Sequence, residues 1–262
     1  MLLTIDVGNT ETVLGLFAGD DLVGHWRVAT TSERTFDEVR WQLLGILDLD
    51  GFAPDQIVGV AISSVVPSLT AILRRVAPAL SAGPVVVVEP GVRTGMPILI
   101  DNPREVGADR IVNSVAALER HGAPVVVVDF GTSTNFDVVG ADGAYLGGAI
   151  APGLDISTKA LISGTAALRL VEYLPPRSPI GKGTVEAIQS GALYGHAGLV
   201  DGIMERIVAE LGGEAARVAT GGLASTIVPY CQSVEVIDEY LTLEGLRLIF
   251  ERNQDRNQDD EG

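Results

Sequence analysis

The sequence predicts an α/β protein with two similar domains and a cleft between them, and three observations support this. The chain has 262 residues, which is near the upper limit for one hydrophobic core. Hydrophobic residues make up 47% of it and charged residues 20%, the balance of a well-packed globular protein. One pattern occurs in both halves: an apolar strand ends in Asp-x-Gly, and the chain continues through Thr into a second strand.

The first half starts with strand patterns and then alternates strands with helices. Two apolar runs flank the polar stretch that opens with Gly8-Asn9-Thr10, which indicates a hairpin with a turn longer than two residues. Pro67 suits the first turn of a helix, and Asp101 or Asn102 can cap a later helix ahead of Pro103. We predict strands over residues 2–7, 13–17, 22–28, 57–62 and 85–88, and helices over 36–47, 67–76 and 104–120.

The same order of elements begins again after His121-Gly122. Spacing and composition predict strands over residues 125–129, 136–139, 145–150 and 218–219, and helices over 155–173, 185–211 and 243–252. Asp129-Phe130-Gly131-Thr132 stands at the point of this order where the first half has Asp6-Val7-Gly8-Asn9-Thr10. A repeat at the same point of the same strand order indicates duplicated domains. We place them at residues 1–119 and 120–262, and the last helix can pack back across this boundary.

The two Asp-x-Gly turns have the residue types of a phosphate site. Glycine lets backbone N–H groups approach a phosphate closely, and Asn9, Thr10, Thr132 and Ser133 add neutral donors. An aspartate at each strand end can hold a cation against those phosphates. The turns would then bind ATP and its metal ion together. The alternative is two ordinary hairpins that have Asp at strand ends, because short motifs of this kind are often accidental.

Other nucleotide-binding and metal-binding motifs are absent from the sequence. It contains no G-x-x-x-x-G-K-[ST] motif, and no G-x-G-x-x-G motif follows a strand, so neither a P-loop nor a dinucleotide fold has support. The histidines at 25, 121 and 196 are scattered and show no transition-metal spacing. We interpret them as surface or packing residues.

The segment Asn102 to Arg110 is the other dense cluster of polar residues. It puts Asp109 beside Arg110, close to Gly107. The aspartate could take the proton of a substrate hydroxyl, and the arginine could bind a substrate carboxylate through two hydrogen bonds. The alternative is a surface pair of neighbouring charges on a helix, which contributes little to stability. Composition alone favours that alternative.

Charge and cysteine content exclude several classes of partner. The net charge is −16, the chain has only two lysines, and no basic cluster is present, so we expect no nucleic-acid partner. No apolar run reaches membrane-spanning length, and the start lacks a signal-peptide pattern, so we expect no membrane partner. The single cysteine, Cys231, cannot form an intramolecular disulfide and suits a reducing cytoplasm.

The turns and the Asp109 segment occur in an order that resembles type III pantothenate kinase, a family of the superfamily that contains acetate and sugar kinases, actin and chaperones. The likeness runs from residue 5 to residue 222. The matching stretches are Ile5–Thr10, Glu89–Gly95, Asp101–Asn113, Asp129–Thr132, Gly147–Gly153, Gly181–Thr184 and Thr220–Gly222. The resemblance implies two ribonuclease-H-like domains of the actin-like kinase superfamily, with an interdomain cleft.

The resemblance also implies roles for individual residues. Asp109 would be the general base on the pantothenate hydroxyl. Asp6 would lie near Mg²⁺ with water between them, and Asp129 would bind K⁺ or NH₄⁺. The ATP-binding residues implied are Asp6, Val7, Gly8, Asn9, Thr10, Glu11, Thr12, Val13 and Thr132. The substrate-binding residues implied are Ile100, Gly107, Ala108, Asp109, Arg110 and Thr184.

Two of these substrate positions carry qualifications. Many members of the family have tyrosine where this chain has Ile100, so the substrate pocket lacks that hydroxyl. Thr184 is expected from the partner subunit of a homodimer, and it equally suits the N-cap of the helix that begins near Val185.

The activity implied is ATP-dependent phosphorylation of pantothenate to 4'-phosphopantothenate, the first step of coenzyme A synthesis. Two alternatives stay open: a kinase of another small hydroxy acid, and a nucleotide-binding accessory regulator of transcription without catalytic activity. The net charge of −16 argues against direct contact with DNA, and the Asp109-Arg110 pair favours catalysis. We also expect apolar positions on the helices over 155–173 and 185–211 to be covered by the second subunit.

Overall fold

The computed structural model describes residues 1–165 and 168–259, with side chains as far as residue 254. The chain forms two compact units. One contains Met1–Pro97, Asp101–Ala116 and the C-terminal segment from Leu241; the other contains Ile98–Ile100 and Ala117–Tyr240. The domain boundary between residues 119 and 120 stays a prediction.

The first unit is built on a five-stranded sheet in the order β3-β2-β1-β4-β5. Its strands are β1 (Leu2–Val7), β2 (Glu11–Ala18), β3 (Asp21–Ala29), β4 (Gly59–Ser64) and β5 (Val85–Val87). The first three strands form an antiparallel meander, and β4 and β5 continue the sheet in parallel with β1. Alternation along β1 sends Leu3, Ile5 and Val7 into the core of this unit.

Helices cover both faces of this sheet. They are α1 (Phe36–Leu49), α2 (Pro67–Leu80), the first part of α3 (Ala108–His121) and α7 (Leu241–Asp259). A capping box between Thr35 and Glu38 starts α1, and Pro67 starts α2. The α7 helix packs against β1 and β4 at close range, since a Cβ on Gly59 would lie 2.2 Å from the Phe250 ring.

The second unit repeats the sheet of the first. Its strands are β6 (Val125–Phe130), β7 (Ser133–Val139), β8 (Tyr145–Pro152), β9 (Ala216–Thr220) and β10 (Val236–Ile237), and its helices are α4 (Leu154–Ser163), α5 (Thr184–Glu210) and α6 (Ala224–Ile227). The order β8-β7-β6-β9-β10 has the same meander followed by two parallel strands. The predicted pair of similar α/β domains is therefore confirmed at the level of strand topology.

Four predicted helices differ from the structure by about one turn or more. The one expected over 67–76 continues to Leu80. The one expected over 104–120 is a 3₁₀ turn, Pro103–Glu105, followed by α3, because the chain leaves the helical conformation at Val106 and Gly107. The one expected over 155–173 ends at Ser163, ahead of Gly164; residues 168–173 are irregular, and 166–167 lie outside the described residues. The last helix is longer than predicted, since α7 spans Leu241–Asp259.

Within the described ranges, the longest helices carry too many charged and polar residues for a bilayer, so none of them could serve as a membrane span.

Candidate active site

The first Asp-x-Gly turn joins β1 to β2 in the first unit. Gly8 N–H donates to the Glu11 carbonyl at 2.9 Å, which closes a turn whose tip residues Asn9 and Thr10 are exposed. A Cβ on Gly8 would lie 3.0 Å from that carbonyl, so a larger residue would disturb the turn. Asp6 occupies the end of β1, half-buried. The turn therefore offers exposed polar groups beside a strand-end carboxylate, as a phosphate site requires.

The other residues predicted for this ATP site continue along the hairpin. Asp6 pairs with Val13 and Val7 pairs with Thr12 in the antiparallel ladder. The Thr12 hydroxyl lies 2.8 Å from the hydroxyl of Thr30, the residue that follows β3, and this contact ties the hairpin to the end of that strand. Glu11 forms an ion pair with Arg27 on β3, so its carboxylate stabilises the hairpin on the exposed side.

Asp109 lies in the first turn of α3, and the chain brings Gly107 and Arg110 against it. The Arg110 backbone N–H donates to Asp109 Oδ1 at 2.9 Å. A Cβ on Gly107 would lie 2.4 Å from the same oxygen and 3.7 Å from a Val65 methyl carbon. A larger residue at position 107 would therefore displace the carboxylate from this place. The segment thus collects Gly107, Ala108, Asp109 and Arg110 around one half-buried acid at a helix start.

Burial raises the pKa of the Asp109 carboxyl above its ordinary value of 3.8. The backbone hydrogen bond from Arg110 and the positive charge of its guanidinium act in the opposite direction, and burial prevails. A raised pKa makes a carboxylate a better proton acceptor, as a general base needs. The surface-pair alternative does not suit these residues, because both are half-buried.

The second Asp-x-Gly turn joins β6 to β7 in the second unit. Gly131 N–H donates to the Ser133 carbonyl at 3.0 Å, so the turn is tight, and Thr132 stands at its tip. Asp129 is half-buried one position before the end of β6. The start of α4 packs directly on the turn, since a Cβ on Gly153 would lie 2.4 Å from the Thr132 carbonyl oxygen.

Gly221 lies beside this turn, and no role was predicted for it from the sequence. Its φ is +93°, and a Cβ there would lie 2.4 Å from Asp129 Oδ1 and 2.7 Å from the Phe130 backbone nitrogen. It follows β9, the parallel neighbour of β6. The Thr220-Gly221-Gly222 motif carried the signal, because a glycine pair after a buried strand indicates a close backbone approach.

The substrate residues predicted from the sequence are divided between the two units. Gly107, Ala108, Asp109 and Arg110 belong to the first, and Ile100 and Thr184 belong to the second. Ile100 packs along the edge strand β8, where a Cβ on Gly147 would lie 3.5 Å from Ile100 Cγ2. The segment is held there by Leu99 N–H, which donates to the Tyr145 carbonyl at 2.8 Å.

Thr184 is the first residue of α5 and not its N-cap. Gly183 is the N-cap, and no side chain caps this helix start. The N-cap alternative for Thr184 is therefore wrong, and its side chain lines a groove of about 500 Å³ between α4 and α5 instead. The groove is largely apolar, with Leu154, Leu161 and Leu199 in its walls.

His196 also lines this groove and is buried, which agrees with the interpretation of a packing residue. Its Nε2 lies 2.8 Å from the Thr134 hydroxyl on β7, and burial lowers the pKa of its imidazole. Among the described residues, no three His, Cys, Asp or Glu side chains come together in a group that could hold a metal ion.

Comparison with known proteins identifies the family. The model of type III pantothenate kinase matches residues 2–206. A type III pantothenate kinase of Acidothermus cellulolyticus is 56% identical over 254 residues, which cover 97% of this chain and 99% of the relative. One of Frankia alni is 55% identical over 254 residues, again 97% of this chain and 100% of the relative.

Solved structures agree on the fold. An inorganic polyphosphate/ATP-glucomannokinase from Arthrobacter matches with a TM-score of 0.52 at 16% identity, over 95% of this chain and 98% of that one. At such identity the likeness concerns the fold alone, and it agrees with two ribonuclease-H-like domains. The family model spans most of the sequence, and the relatives match over nearly the whole chain at more than half identity. The chain therefore belongs to the type III pantothenate kinase family.

Proposed function

We propose that this protein transfers the γ-phosphoryl group of ATP to the hydroxyl of pantothenate, giving 4'-phosphopantothenate in the first step of coenzyme A synthesis. Membership of the family supports the substrates and the reaction. The single structural observation that carries the proposal is the Asp109 carboxylate. It is half-buried at the start of α3, has a raised pKa, and belongs to the same compact unit as the first phosphate turn.

In the proposed chemical step the protein supplies one proton acceptor, Asp109, and otherwise acts by positioning the reactants. Asp109 takes the proton of the pantothenate hydroxyl as that oxygen bonds to the γ-phosphorus. The bond from this phosphorus to the bridging oxygen breaks, and ADP leaves with that electron pair. Gly107 supports this role because it leaves space for the carboxylate, and the Arg110 N–H orients Oδ1. Positioning and charge neutralisation supply most of the rate in phosphoryl transfer.

The two glycine turns are the proposed phosphate sites. Residues Asp6 to Val13 supply the first, and Thr132 supplies the second. Asp6 would hold the Mg²⁺ of ATP through water, and Asp129 would hold K⁺ or NH₄⁺. The donor chemistry fits, because the metal ions Mg²⁺ and K⁺ prefer oxygen ligands. Mg²⁺ usually keeps several waters beside one or two carboxylates. These ions would neutralise phosphate charge in a protein whose own charge is −16.

Pantothenate carries a carboxylate, and Arg110 is the proposed partner for it. A guanidinium can bind a carboxylate through two parallel hydrogen bonds, which also fixes the direction of the substrate. Gly107 and Ala108 would line the same site. Ile100 would contribute apolar contact in place of the hydroxyl that many family members provide, so its effect on affinity is open to measurement.

A homodimer is proposed, with Thr184 of the partner subunit completing the pantothenate site. The support is the apolar groove of about 500 Å³ that Thr184 lines. Leu161 in its wall is 50% exposed, and Leu170, two residues after the lining residue Leu168, is 69% exposed, although leucine is usually buried. A second subunit over this groove would remove these side chains from water.

The shared site can be tested by complementation. Asp109→Asn and Thr184→Trp chains should each have strongly reduced activity alone, and their mixture should recover part of the wild-type activity, since one pocket of the heterodimer keeps both residues. Full specific activity from a protein that light scattering shows to be monomeric at assay concentration would contradict the shared site.

The test of the function itself is ADP release by the purified protein with pantothenate, Mg²⁺ and K⁺. We expect release that depends on pantothenate, with phosphorylated pantothenate recovered by mass spectrometry. A panel of other small hydroxy acids distinguishes the first alternative. ATP binding without turnover on any of them would contradict the proposal and favour the accessory regulator.

We propose a cytoplasmic protein without nucleic-acid or membrane partners. The net charge of −16 would repel nucleic acid, and a lone half-buried cysteine suits a reducing compartment.

A further inference from the structure

Ser63 has a buried hydroxyl that no group in the described part of the chain satisfies. The residue is 0% exposed on β4, and among the described residues its Oγ has no hydrogen-bond partner. A buried polar group without a partner is costly, and such groups are uncommon enough to need an explanation. The neighbouring Ser64 shows the usual situation. Its hydroxyl donates to the Val66 carbonyl at 3.2 Å and accepts from the Thr70 hydroxyl at 2.8 Å.

The parallel ladder places Ser63 directly beside Asp6. The register pairs Asp6 of β1 with Ser63 of β4, and Ile5 with Ile62. Ile5 and Ile62 both enter the core on one face of the sheet. Because side chains alternate along a strand, Asp6 and Ser63 share the opposite face. Adjacent strands are about 5 Å apart, so a change of rotamer can bring the hydroxyl to the carboxylate.

The second unit contains the same juxtaposition. Asp129 of β6 pairs with Thr220 of β9, and Thr220 is 1% exposed. The preceding pair, Val128 and Ala219, enters the core of that unit. Each strand-end aspartate proposed to hold a cation therefore has a buried hydroxyl residue beside it on the parallel strand. The recurrence of this aspartate–hydroxyl pair in both units argues against an accident of packing in one of them.

We propose that Ser63 is a positioning residue for Asp6, an inference that rests on the proposed function. When Mg²⁺-ATP is bound, the Ser63 hydroxyl donates a hydrogen bond to one oxygen of the Asp6 carboxylate, which directs the other oxygen toward the water shell of the cation. Hydrogen bonds from neighbouring groups commonly fix the orientation of carboxylates that hold a metal ion. Ser63 itself touches neither ATP nor substrate.

The test uses Ser63→Ala in the full-length protein, with Ser64→Ala as the matched control, and needs no second substrate. The first readout is thermal unfolding without ligand. Ser63→Ala should unfold at the same temperature as wild type or above it, because it removes an unsatisfied buried hydroxyl. Ser64→Ala should unfold at a lower temperature, because it breaks existing hydrogen bonds.

The second readout is ATP binding by calorimetry across a Mg²⁺ titration. Ser63→Ala should need about tenfold more Mg²⁺ for half-maximal binding, the usual effect of losing a hydrogen bond to an ionised group. Ser64→Ala should keep the wild-type Mg²⁺ dependence. In an Asp6→Asn background, Ser63→Ala should change the Mg²⁺ requirement less than twofold, since the carboxylate it serves is gone.

Several outcomes would overturn the inference. One is an unchanged Mg²⁺ dependence in Ser63→Ala. Another is a loss of stability as large as that of Ser64→Ala, which would indicate a structural partner for the hydroxyl. If wild type binds Mg²⁺-ATP and the Ser63→Ala effect is present without pantothenate turnover, the proposed function fails and this inference stands. If wild type turns over pantothenate and Ser63→Ala binds normally, only the inference fails.

Discussion

Asp109→Asn is the substitution that tests the proposed base most directly, because it changes the charge and little else. The asparagine amide oxygen can take the place of Oδ1 and keep the hydrogen bond that Arg110 N–H donates at 2.9 Å. The same oxygen faces Gly107, since a Cβ added at position 107 would lie 2.4 Å from Asp109 Oδ1. The packing of the α3 start should therefore survive, and only the ability to accept a proton should be lost.

The expected loss of rate follows from the role. General base catalysis typically contributes roughly 10²–10⁴-fold, so the variant should lose about 3–5 kcal/mol of transition-state stabilisation at ~1.4 kcal/mol per tenfold. The affinity for ATP should change little, because Asp109 is assigned to the acceptor hydroxyl. The loss should appear in kcat, with KM for ATP near the wild-type value.

The same substitution should stabilise the protein at neutral pH. Burial raises the pKa of Asp109 in the folded state above 3.8, so the unfolded chain loses this proton at a lower pH than the folded one. The stabilisation that the protonated Asp109 carboxyl contributes to the wild type is therefore fully present below its pKa in the unfolded chain. It is lost as pH rises through its pKa in the folded protein. Asparagine has no such dependence. The difference in free energy of unfolding should be near zero in acid and should grow in favour of the variant up to neutral pH.

The assay pairs steady-state kinetics with urea unfolding from acid to neutral pH. Glu105→Gln is the control, since Glu105 is an exposed acid nearby that accepts a hydrogen bond from Asn102, which glutamine can keep. It should retain wild-type turnover. Near-wild-type turnover in Asp109→Asn would refute the base, and an Asp109→Asn protein less stable than wild type at neutral pH would refute the account of its pKa.

The remaining predictions concern the second unit. Wild type should be activated by K⁺ or NH₄⁺ far more than by Na⁺ at fixed ionic strength, and Asp129→Asn should remove this difference; a wild-type rate indifferent to K⁺ would count against the cation site. Gly221→Ala should lose more stability in urea than Gly213→Ala by about 1–3 kcal/mol. Both glycines have φ near +100°, and only a Cβ on Gly221 would meet other atoms, so equal losses would contradict the crowding argument. Burial and the charge of Asp201 raise the pKa of the Cys231 thiol from 9.0 to about 12. At pH 8 this thiol should therefore react with a disulfide reagent on the order of 10³-fold more slowly in the native protein than in the urea-unfolded protein. Equal rates would contradict the raised pKa.

Much of the candidate site could be predicted from the sequence because the relevant signals are local. Asp6-Val7-Gly8 and Asp129-Phe130-Gly131 each contain the end of a strand and its turn within a few residues, and both turns are present in the structure. The helix boundaries were harder to predict from the sequence. Glycines at 107 and 164 interrupt apolar spacing that continues on both sides of them, so periodicity alone joined segments that the backbone separates.

Sequence alone predicts the repeated strand, turn and strand with its aspartate, and the glycine-flanked acid at position 109. Each depends on residues that are close along the chain, whose conformational preferences act before any tertiary contact forms. The positions of Ser63 beside Asp6, of Thr220 beside Asp129 and of Gly221 against the Asp129 carboxylate become visible in the folded protein. They result from the parallel pairing of β1 with β4 and of β6 with β9. A parallel ladder requires a crossover between its strands, so the side chains that meet across it are far apart in sequence, and their register depends on packing of the whole domain.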